Sequence, residues 1–596
     1  MLLSCFAHSR RLLFSAAAIF ATVAAGSALA QQSPPPTFSQ IVVFGDSLSD
    51  TGNVRDRTNA KSSGTVDYPS HTFNYSDGRF TNSSATDPAS TMFVGVWHEQ
   101  LARTFLNLQE AHFSLNGMGG TDYAFGGATT EDGQRDIVAV STSLFGDVTI
   151  TIDNMGRQMD NYFAAHPAAD PNALYIVWGG GNDLFNDDSA SSVTATAARV
   201  PLLVNRLVNH GAKYILVPNV PPLGAIPRYN KDAAKTLSLN KASFDYRRQL
   251  ATNLSATRSN LTSQGVTLYS LDIWTNTIRL FSNPAKYGFV NTRDSAQGQS
   301  SVNPDQYLFW DDLHPTTAGH YQTAKGARDA LLTPQLAVAK AANIATRVGV
   351  DSGERVSIAG IFVTGDVSKK VLIRGIGPTL AASGVPTPLA DPTLTLFDSS
   401  GTALKSNDNW RESQEAEINA TGIAPKNEAE SAIVYSLPPG RYTAVLAGKN
   451  GGVGNGLVEV YDLEPASSSM LGNLSTRGFV GTGDNAMIGG LIIGSGDNPM
   501  VVFRAIGPSL SASNIANPLL DPTLELHDGN GALLRADDNW KDDPSQVQGI
   551  RAAQLAPTDD RESAIIAFLP PGNYTAIVRG TLDTTGVALV EAYRVE

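Results

Sequence analysis

The sequence predicts an α/β domain with a buried parallel sheet over residues 37–335, followed by two tandem all-β sandwich or jelly-roll repeats over 343–464 and 473–596. Three observations carry this reading. In the first part, short apolar runs end at glycine or proline and alternate with helical patterns. In the second part, the same strings recur at a nearly fixed spacing. Glycine (54) and proline (32) are abundant in 596 residues, which signals many turns. The composition, 17% charged and 42% hydrophobic, is that of an ordinary globular protein, and the length calls for more than one domain.

Residues 1–30 read as a cleavable export signal. Arg10 and Arg11 precede the apolar or small stretch Leu12–Ala25, and Ala28-Leu29-Ala30 fits a small-x-small cleavage site. Ser9-Arg10-Arg11-Leu12-Leu13-Phe14 is also similar to a twin-arginine signal. The expected location is secreted or periplasmic. Cleavage leaves 596 − 30 = 566 residues and removes Cys5, the only cysteine, so disulfides, thiolate catalysis and cysteine zinc sites are excluded. The formal charge goes from −13 to −13 − 2 = −15, which disfavours nucleic acid and anionic membranes as partners. No later apolar run is long enough to make a transmembrane segment.

The expected strands are Ile41–Phe44 ending at Gly45, Leu174–Trp178 ending at Gly179-Gly180-Gly181, Tyr214–Val217 ending at Pro218, and Val266–Ile273. Between them, Val193, Ala197, Val200, Val204 and Leu207 recur at helical spacing, with Pro201 expected to kink that helix or mark its start. Tyr321, Ala324, Ala327 and Leu331 repeat the pattern near the end. Unbroken apolar strands separated by helices imply a sheet covered on both faces.

The duplication is explicit. Arg374-Gly-Ile-Gly-Pro378 matches Arg504-Ala-Ile-Gly-Pro508 at 504 − 374 = 130, and Asp391-Pro-Thr-Leu394 matches Asp521-Pro-Thr-Leu524 at the same spacing. Asp408-Asn409-Trp410 matches Asp538-Asn539-Trp540, while Leu437-Pro-Pro-Gly440 matches Leu569-Pro-Pro-Gly572 at 132. Each unit is long enough to hold its own core, with linkers expected at about 334–342 and at Pro465–Ser469. Trp410 and Trp540 either pack at strand ends beside turn-forming Asp and Asn, which is the favoured reading, or present a platform to a polysaccharide or another surface.

Four strings carry chemistry. Gly45-Asp46-Ser47-Leu48-Ser49-Asp50-Thr51-Gly52-Asn53 follows the first strand and puts a serine where α/β sheets place their sites. Thr121–Ala128 contains Gly126-Gly127, which permits close backbone approach to a ligand. Gly180-Gly181-Asn182-Asp183 follows the second apolar strand. Asp311-Asp312-Leu313-His314-Pro315 places a carboxylate three residues before an imidazole, so that Asp311 can hold one ring nitrogen and leave the other as a base. Of nine histidines, only His314 has this setting; His320 reads as an exposed helix residue. His98-Glu99 begins like a zinc-protease helix, but Ala102 breaks that motif, and no metal is expected.

Taken singly these strings are ordinary turns and caps. In this order they resemble the SGNH (GDSL) family of esterases and lipases over about residues 40–330. Gly78-Arg79-Phe80-Thr81-Asn82 and Val217–Gly224 are also similar to secreted members. The resemblance implies a flavodoxin-like three-layer SGNH hydrolase domain that cleaves carboxylic esters without cofactor or metal. It implies Ser47 as nucleophile, His314 as base and Asp311 as its orienting carboxylate. It also implies an oxyanion hole made of the Ser47 and Gly127 N–H groups and the Asn182 amide. The expected substrate is a small-molecule or lipid ester. Alternatives are acyl transfer or phospholipase activity within the same family, or a non-catalytic secreted binding protein that works through its repeats. Asp122 departs from the asparagine usual in relatives and puts the local hydrogen bonding in question.

Overall fold

The computed structural model describes residues 37–70, 73–83, 93–116, 119–142, 146–332, 340–494 and 499–595. The expected export signal and residues 334–339 of the expected linker lie outside the described residues. The chain divides into two compact units, one holding the hydrolase-like segment and the other both repeats.

The first unit runs β1 (Ile41–Gly45), α1 (Asn53–Lys61), α2 (Trp97–Gln100), β2 (Gln134–Thr142), β3 (Gly146–Asp153), α3 (Met155–Ala165), β4 (Leu174–Trp178), α4 (Gly181–Asn186), α5 (Ala190–Asn209), β5 (Tyr214–Pro218), α6 (Ala233–Ser263), β6 (Thr267–Leu271), α7 (Ile273–Ser282), β7 (Asn291–Ser295), β8 (Tyr307–Phe309) and α8 (Thr317–Leu332). Its main sheet is parallel in the order β1-β4-β5-β6. Residues 121–125 add an outer run beside β1, with Tyr123 N donating to Val43 O at 2.9 Å and Phe125 N to Gly45 O at 3.2 Å. Strand order therefore reverses at β1, the flavodoxin-like arrangement, and ligands bind such sheets at the carboxyl ends flanking that switch.

Every residue of β1 and β4 is buried. One face packs under Met159, Val200, Val204, Leu207 and Leu254 from α3, α5 and α6; the other packs under Trp97, Ile273, Ala324, Ala327 and Leu331 from α2, α7 and α8. The three layers explain why these strands read as unbroken apolar runs. α5 passes through Pro201 without starting there. Ser189 caps it, accepting from Ser192 N, and the missing proline donor is replaced from α6, whose Asn253 Nδ2 donates to Ala197 O at 3.0 Å. Sequence periodicity could not show that replacement, because the donor comes from another helix.

Among the described residues, the second unit has sixteen strands. The first repeat supplies β9 (Ala341–Val350), β10 (Ser357–Thr364), β11 (Lys369–Ile376), β12 (Pro392–Asp398), β13 (Ala403–Asn407), β14 (Ser431–Leu437), β15 (Gly440–Gly448) and β16 (Gly454–Asp462). The second supplies β17 (Met470–Val480), β18 (Met487–Ile493), β19 (Met500–Ile506), β20 (Pro522–Asp528), β21 (Leu533–Asp537), β22 (Ser563–Phe568), β23 (Gly572–Gly580) and β24 (Gly586–Arg594). The shared strings build the same contacts twice. Arg374 Nε donates to Glu459 at 2.8 Å, and Arg504 Nε to Glu591 at 2.9 Å. Glu430 accepts from Gly377 N and Thr379 N, as Glu562 does from Gly507 N and Ser509 N. Trp410 and Trp540 are only 3% and 4% exposed, so they pack inward and offer no sugar platform.

The repeats are sandwiches, but they do not have separate cores. β10 pairs with β17, and β9 pairs with β18, so each repeat lends its first strand to a sheet edge of the other. The pairings trace two paths, β13-β12-β15-β10-β17-β24-β19-β22 and β21-β20-β23-β18-β9-β16-β11-β14, which exchange when one repeat is renumbered as the other. One apolar core runs through both repeats, from Ile344 and Leu394 to Phe503 and Val590. Length alone suggested independent domains; the exchanged first strands make the repeats one cooperative body. We expect this unit to melt in a single calorimetric transition. We also expect removal of 470–596 to leave the first repeat aggregated, because β9 and β10 would both expose long bare edges. Two resolved transitions, or a soluble folded single repeat, would contradict the exchange.

Candidate active site

Ser47 sits in the turn leaving β1. A Cβ on Gly45 would lie 2.8 Å from Trp178 O, so only glycine lets β1 run this close to β4. Asp46 then folds the turn, its carboxylate accepting from Leu48 N at 3.0 Å and its carbonyl from Ser49 N and Asp50 N, each at 3.0 Å. His314 comes from the loop before α8. Asp311 Oδ1 shapes that loop by accepting from Leu313 N (2.7 Å) and His314 N (2.6 Å).

The two loops meet. His314 Nε2 lies 2.9 Å from Ser47 Oγ, and His314 Nδ1 lies 2.7 Å from Asp311 Oδ2. All three residues are buried. Burial alone would raise the Asp311 carboxyl, but the His314 charge and the hydrogen bonds from His314 and Leu313 outweigh it and hold the group below the ordinary carboxylate range. Asp311 thus stays ionised and fixes the imidazole with Nε2 toward the serine. The string 78–82 braces the same loop: Phe80 lies against the His314 ring at 5.0 Å, Thr81 Oγ1 donates to Pro315 O at 3.0 Å, and Asn82 Oδ1 accepts from Thr317 N at 2.8 Å.

The glycine turn is hydrogen-bonded both to the serine block and to α4. Gly127 adopts φ +85°, and Gly126 N is held by Asp50 Oδ2 at 2.9 Å. Asn182, in the first turn of α4, donates from Nδ2 to Ala128 O at 2.9 Å, leaving its second amide hydrogen for a ligand. Asp183 fastens the same turn by accepting from Thr130 N and Oγ1. Among the described residues, the backbone N–H groups of Ser47 and Gly127 meet no backbone acceptor. The structure therefore brings Ser47, Asp311 and His314 into one hydrogen-bonded chain and ties Asn182 to the Gly127 turn.

Sequence reasoning missed Tyr75, whose hydroxyl donates to Asp311 Oδ2 at 2.7 Å. It stands three residues before Gly78, so its nearness to a recognised string was the available signal. His320 was misplaced. It is 1% exposed, because α8 turns the same face inward at His320, Ala324, Ala327 and Leu331. The Asp122 question is settled by its partners: it accepts from Thr51 N, Thr51 Oγ1 and Ala124 N, and so joins the serine block to the glycine turn. Beside Ser47 opens a pocket of about 950 Å3, mouth included, walled mostly by apolar side chains such as Phe185, Val220, Leu223, Ile273, Phe281 and Leu308. Among the described residues, no group of three or more His, Cys, Asp or Glu is placed to hold a metal ion, and no helix is long and apolar enough to cross a membrane.

A serine, a histidine and an aspartate thus stand in one hydrogen-bonded chain at the switch point of a flavodoxin-like sheet. Residues 41–327 match the GDSL-like lipase/acylhydrolase family model. The chain is 28% identical to esterase EstA of Pseudomonas aeruginosa over 50% of this chain and 48% of that protein. It is 26% identical to a phosphatidylcholine-sterol acyltransferase of Aeromonas hydrophila, over 48% of this chain and 88% of the relative. A crystal structure of a lipolytic G-D-S-L family protein from Veillonella parvula aligns with 13% identity and a TM-score of 0.24, covering 49% of this chain and 96% of that one. The chain spans about half the length of the first curated relatives it matches, between 48% and 59%.

The site carries a stability signature. Burial raises the Asp46 and Asp50 carboxyls to about 6 and, with the Asp50 charge, lifts Asp122 well above its ordinary value. Between pH 4 and 6 the folded state therefore binds more protons here than the unfolded chain does, so stability from these groups is full below about pH 4 and is lost as pH rises through about 6. The scale is on the order of 2–3 kcal/mol for each of Asp46 and Asp50. Asp311 and Asp272, both held low, work in the opposite direction only below the ordinary carboxylate range. Buried His98 and His320, whose pKa is lowered by burial, oppose this trend over the same range. His320→Leu removes one opposing group, so the melting temperature of this variant is expected to rise more than that of the wild type as the pH is lowered from 8 to about 5; calorimetry showing the same or a shallower profile for the variant would contradict it.

Proposed function

We propose that residues 37–335 form a serine carboxylic-ester hydrolase acting through an acyl-enzyme. The observation that carries this is the Ser47–His314–Asp311 chain, at 2.9 and 2.7 Å, at the edge of an apolar pocket in a segment that matches the GDSL family model. In this reading His314 Nε2 takes the Ser47 proton as Oγ attacks the ester carbonyl. The oxyanion is met by the N–H groups of Ser47 and Gly127 and by the Asn182 amide. His314 then returns the proton to the leaving alcohol, and water cleaves the acyl-Ser47 ester by the same steps in reverse. Asp311 keeps the ring oriented and balances its charge when protonated.

The same acyl-enzyme can pass its acyl group to an alcohol, which is the activity named for the Aeromonas hydrophila relative. A filled and connected triad weighs against a purely binding role. The export signal read at residues 1–30 supports action outside the cytoplasm.

Two substitutions test this on the full chain with p-nitrophenyl butyrate. Ser47→Ala should lower kcat by at least about 10³-fold with an unchanged melting temperature. Asn182→Ala should lower kcat by roughly 10²–10³ with a smaller change in KM. Substantial residual activity in the first, or an effect confined to KM in the second, would count against the assigned roles.

A further inference from the structure

His320 has no part in the chemistry above, yet it borders the same pocket as Ser47 and His314. It is 1% exposed, and neither ring nitrogen has a hydrogen-bond partner. Packing does not favour such a residue: an apolar side chain would fill the space without stranding two polar atoms. Orientation of His314 does not require it either, since Asp311 and Phe80 already hold that ring. Burial, helped by the charges of His314 and His98, pushes its pKa down to about 3. The ring is therefore neutral, with one nitrogen donating and the other accepting. Thr277 and Thr323 border the pocket too, and their hydroxyls donate to Ile273 O (2.8 Å) and Gly319 O (3.4 Å), leaving oxygen lone pairs as acceptors.

We propose that His320 is a specificity-determining residue that hydrogen-bonds a hydroxyl carried on the substrate's acyl chain, which makes hydroxyacyl esters the preferred substrate class. The inference rests on the ester-hydrolase reading of the same site. A hydroxyl suits a neutral imidazole in either tautomer, because it accepts from the protonated nitrogen or donates to the bare one. A carboxylate does not suit the pocket, since no lysine or arginine lines it. An unsubstituted alkyl chain would fill the apolar walls and leave both nitrogens of His320 unmet.

The test uses the full chain and four esters: methyl hexanoate and its 2-, 3- and 6-hydroxy derivatives, with acid release followed by pH-stat. The wild type should favour at least one hydroxy ester over methyl hexanoate in kcat/KM. His320→Leu should reduce that preference by roughly tenfold or more while keeping turnover of methyl hexanoate within a few-fold. His320→Gln, which retains a donor and an acceptor, should restore much of it, and His320→Met serves as the apolar variant if leucine fails to fold. Comparing each ratio with the wild type cancels the intrinsic reactivity of the esters. A merely structural histidine would lower turnover of all four esters together along with the melting temperature. The proposal is overturned if no hydroxy ester is preferred, or if the ratios are the same in wild type and apolar variant. Failure to cleave any of the four esters would instead remove the ester-hydrolase reading itself.

Discussion

The hydrolase site depends on the two oxygens of one carboxylate. Asp311 Oδ1 collects the N–H groups of Leu313 and His314 and so folds the loop, while Oδ2 holds His314 Nδ1. Loop shape and ring orientation are thereby a single constraint. Without it, the imidazole would be free to rotate at the end of a short connection. With it, Nε2 has one direction, toward Ser47. Tyr75 adds a second donor on Oδ2, and the 78–82 string closes over the back of the ring. His314 is thus positioned by segments more than two hundred residues apart.

The opposite side of the site is assembled at some cost. Asp46, Asp50 and Asp122 are buried with raised carboxyls. Each nonetheless collects backbone N–H groups from the serine block or the glycine turn. Asp50 alone accepts from Gly52, Asn53, Val54 and Gly126. Asp50 and Asp122 join the serine block to the glycine turn, while the Asp46 carboxylate folds the serine block alone. A neutral side chain would be easier to bury, but it would offer fewer acceptor sites. The electrostatic strain is the counterpart of a fixed backbone beside Ser47.

Much of this was legible in the sequence because its signals are local. The Asp-x-x-His spacing, the Gly-Asp-Ser-Leu turn and the apolar runs of β1 and β4 each depend on neighbours within a few residues. What was not legible depends on distant partners. Tyr75 contributes through a contact 236 residues along the chain. His320 looks like an ordinary polar helix residue until α8 is seen to turn it inward beside Ala324 and Ala327. Pro201 reads as a break until Asn253 is seen to replace its donor. The repeats show the same limit: the recurring strings mark the duplication, but an exchanged first strand has the same sequence as an unexchanged one.

The duplication also separates scaffold from chemistry in the β unit. Several of the residues shared by the copies have a folding role. Arg374 and Arg504 pair with Glu459 and Glu591, Glu430 and Glu562 tie down the turns after β11 and β19, and both tryptophans are buried. Where the copies diverge, the contacts diverge as well. The Lys449 side chain reaches Asp408 at 2.5 Å and Asp391 at 3.7 Å, whereas the side chain of the corresponding Thr581 donates to Asp538 at 3.3 Å. Recurrence of an Asp-Asn-Trp string in one chain is therefore accounted for by the need to build the same sandwich twice, and it gives no independent reason to assign these residues a ligand.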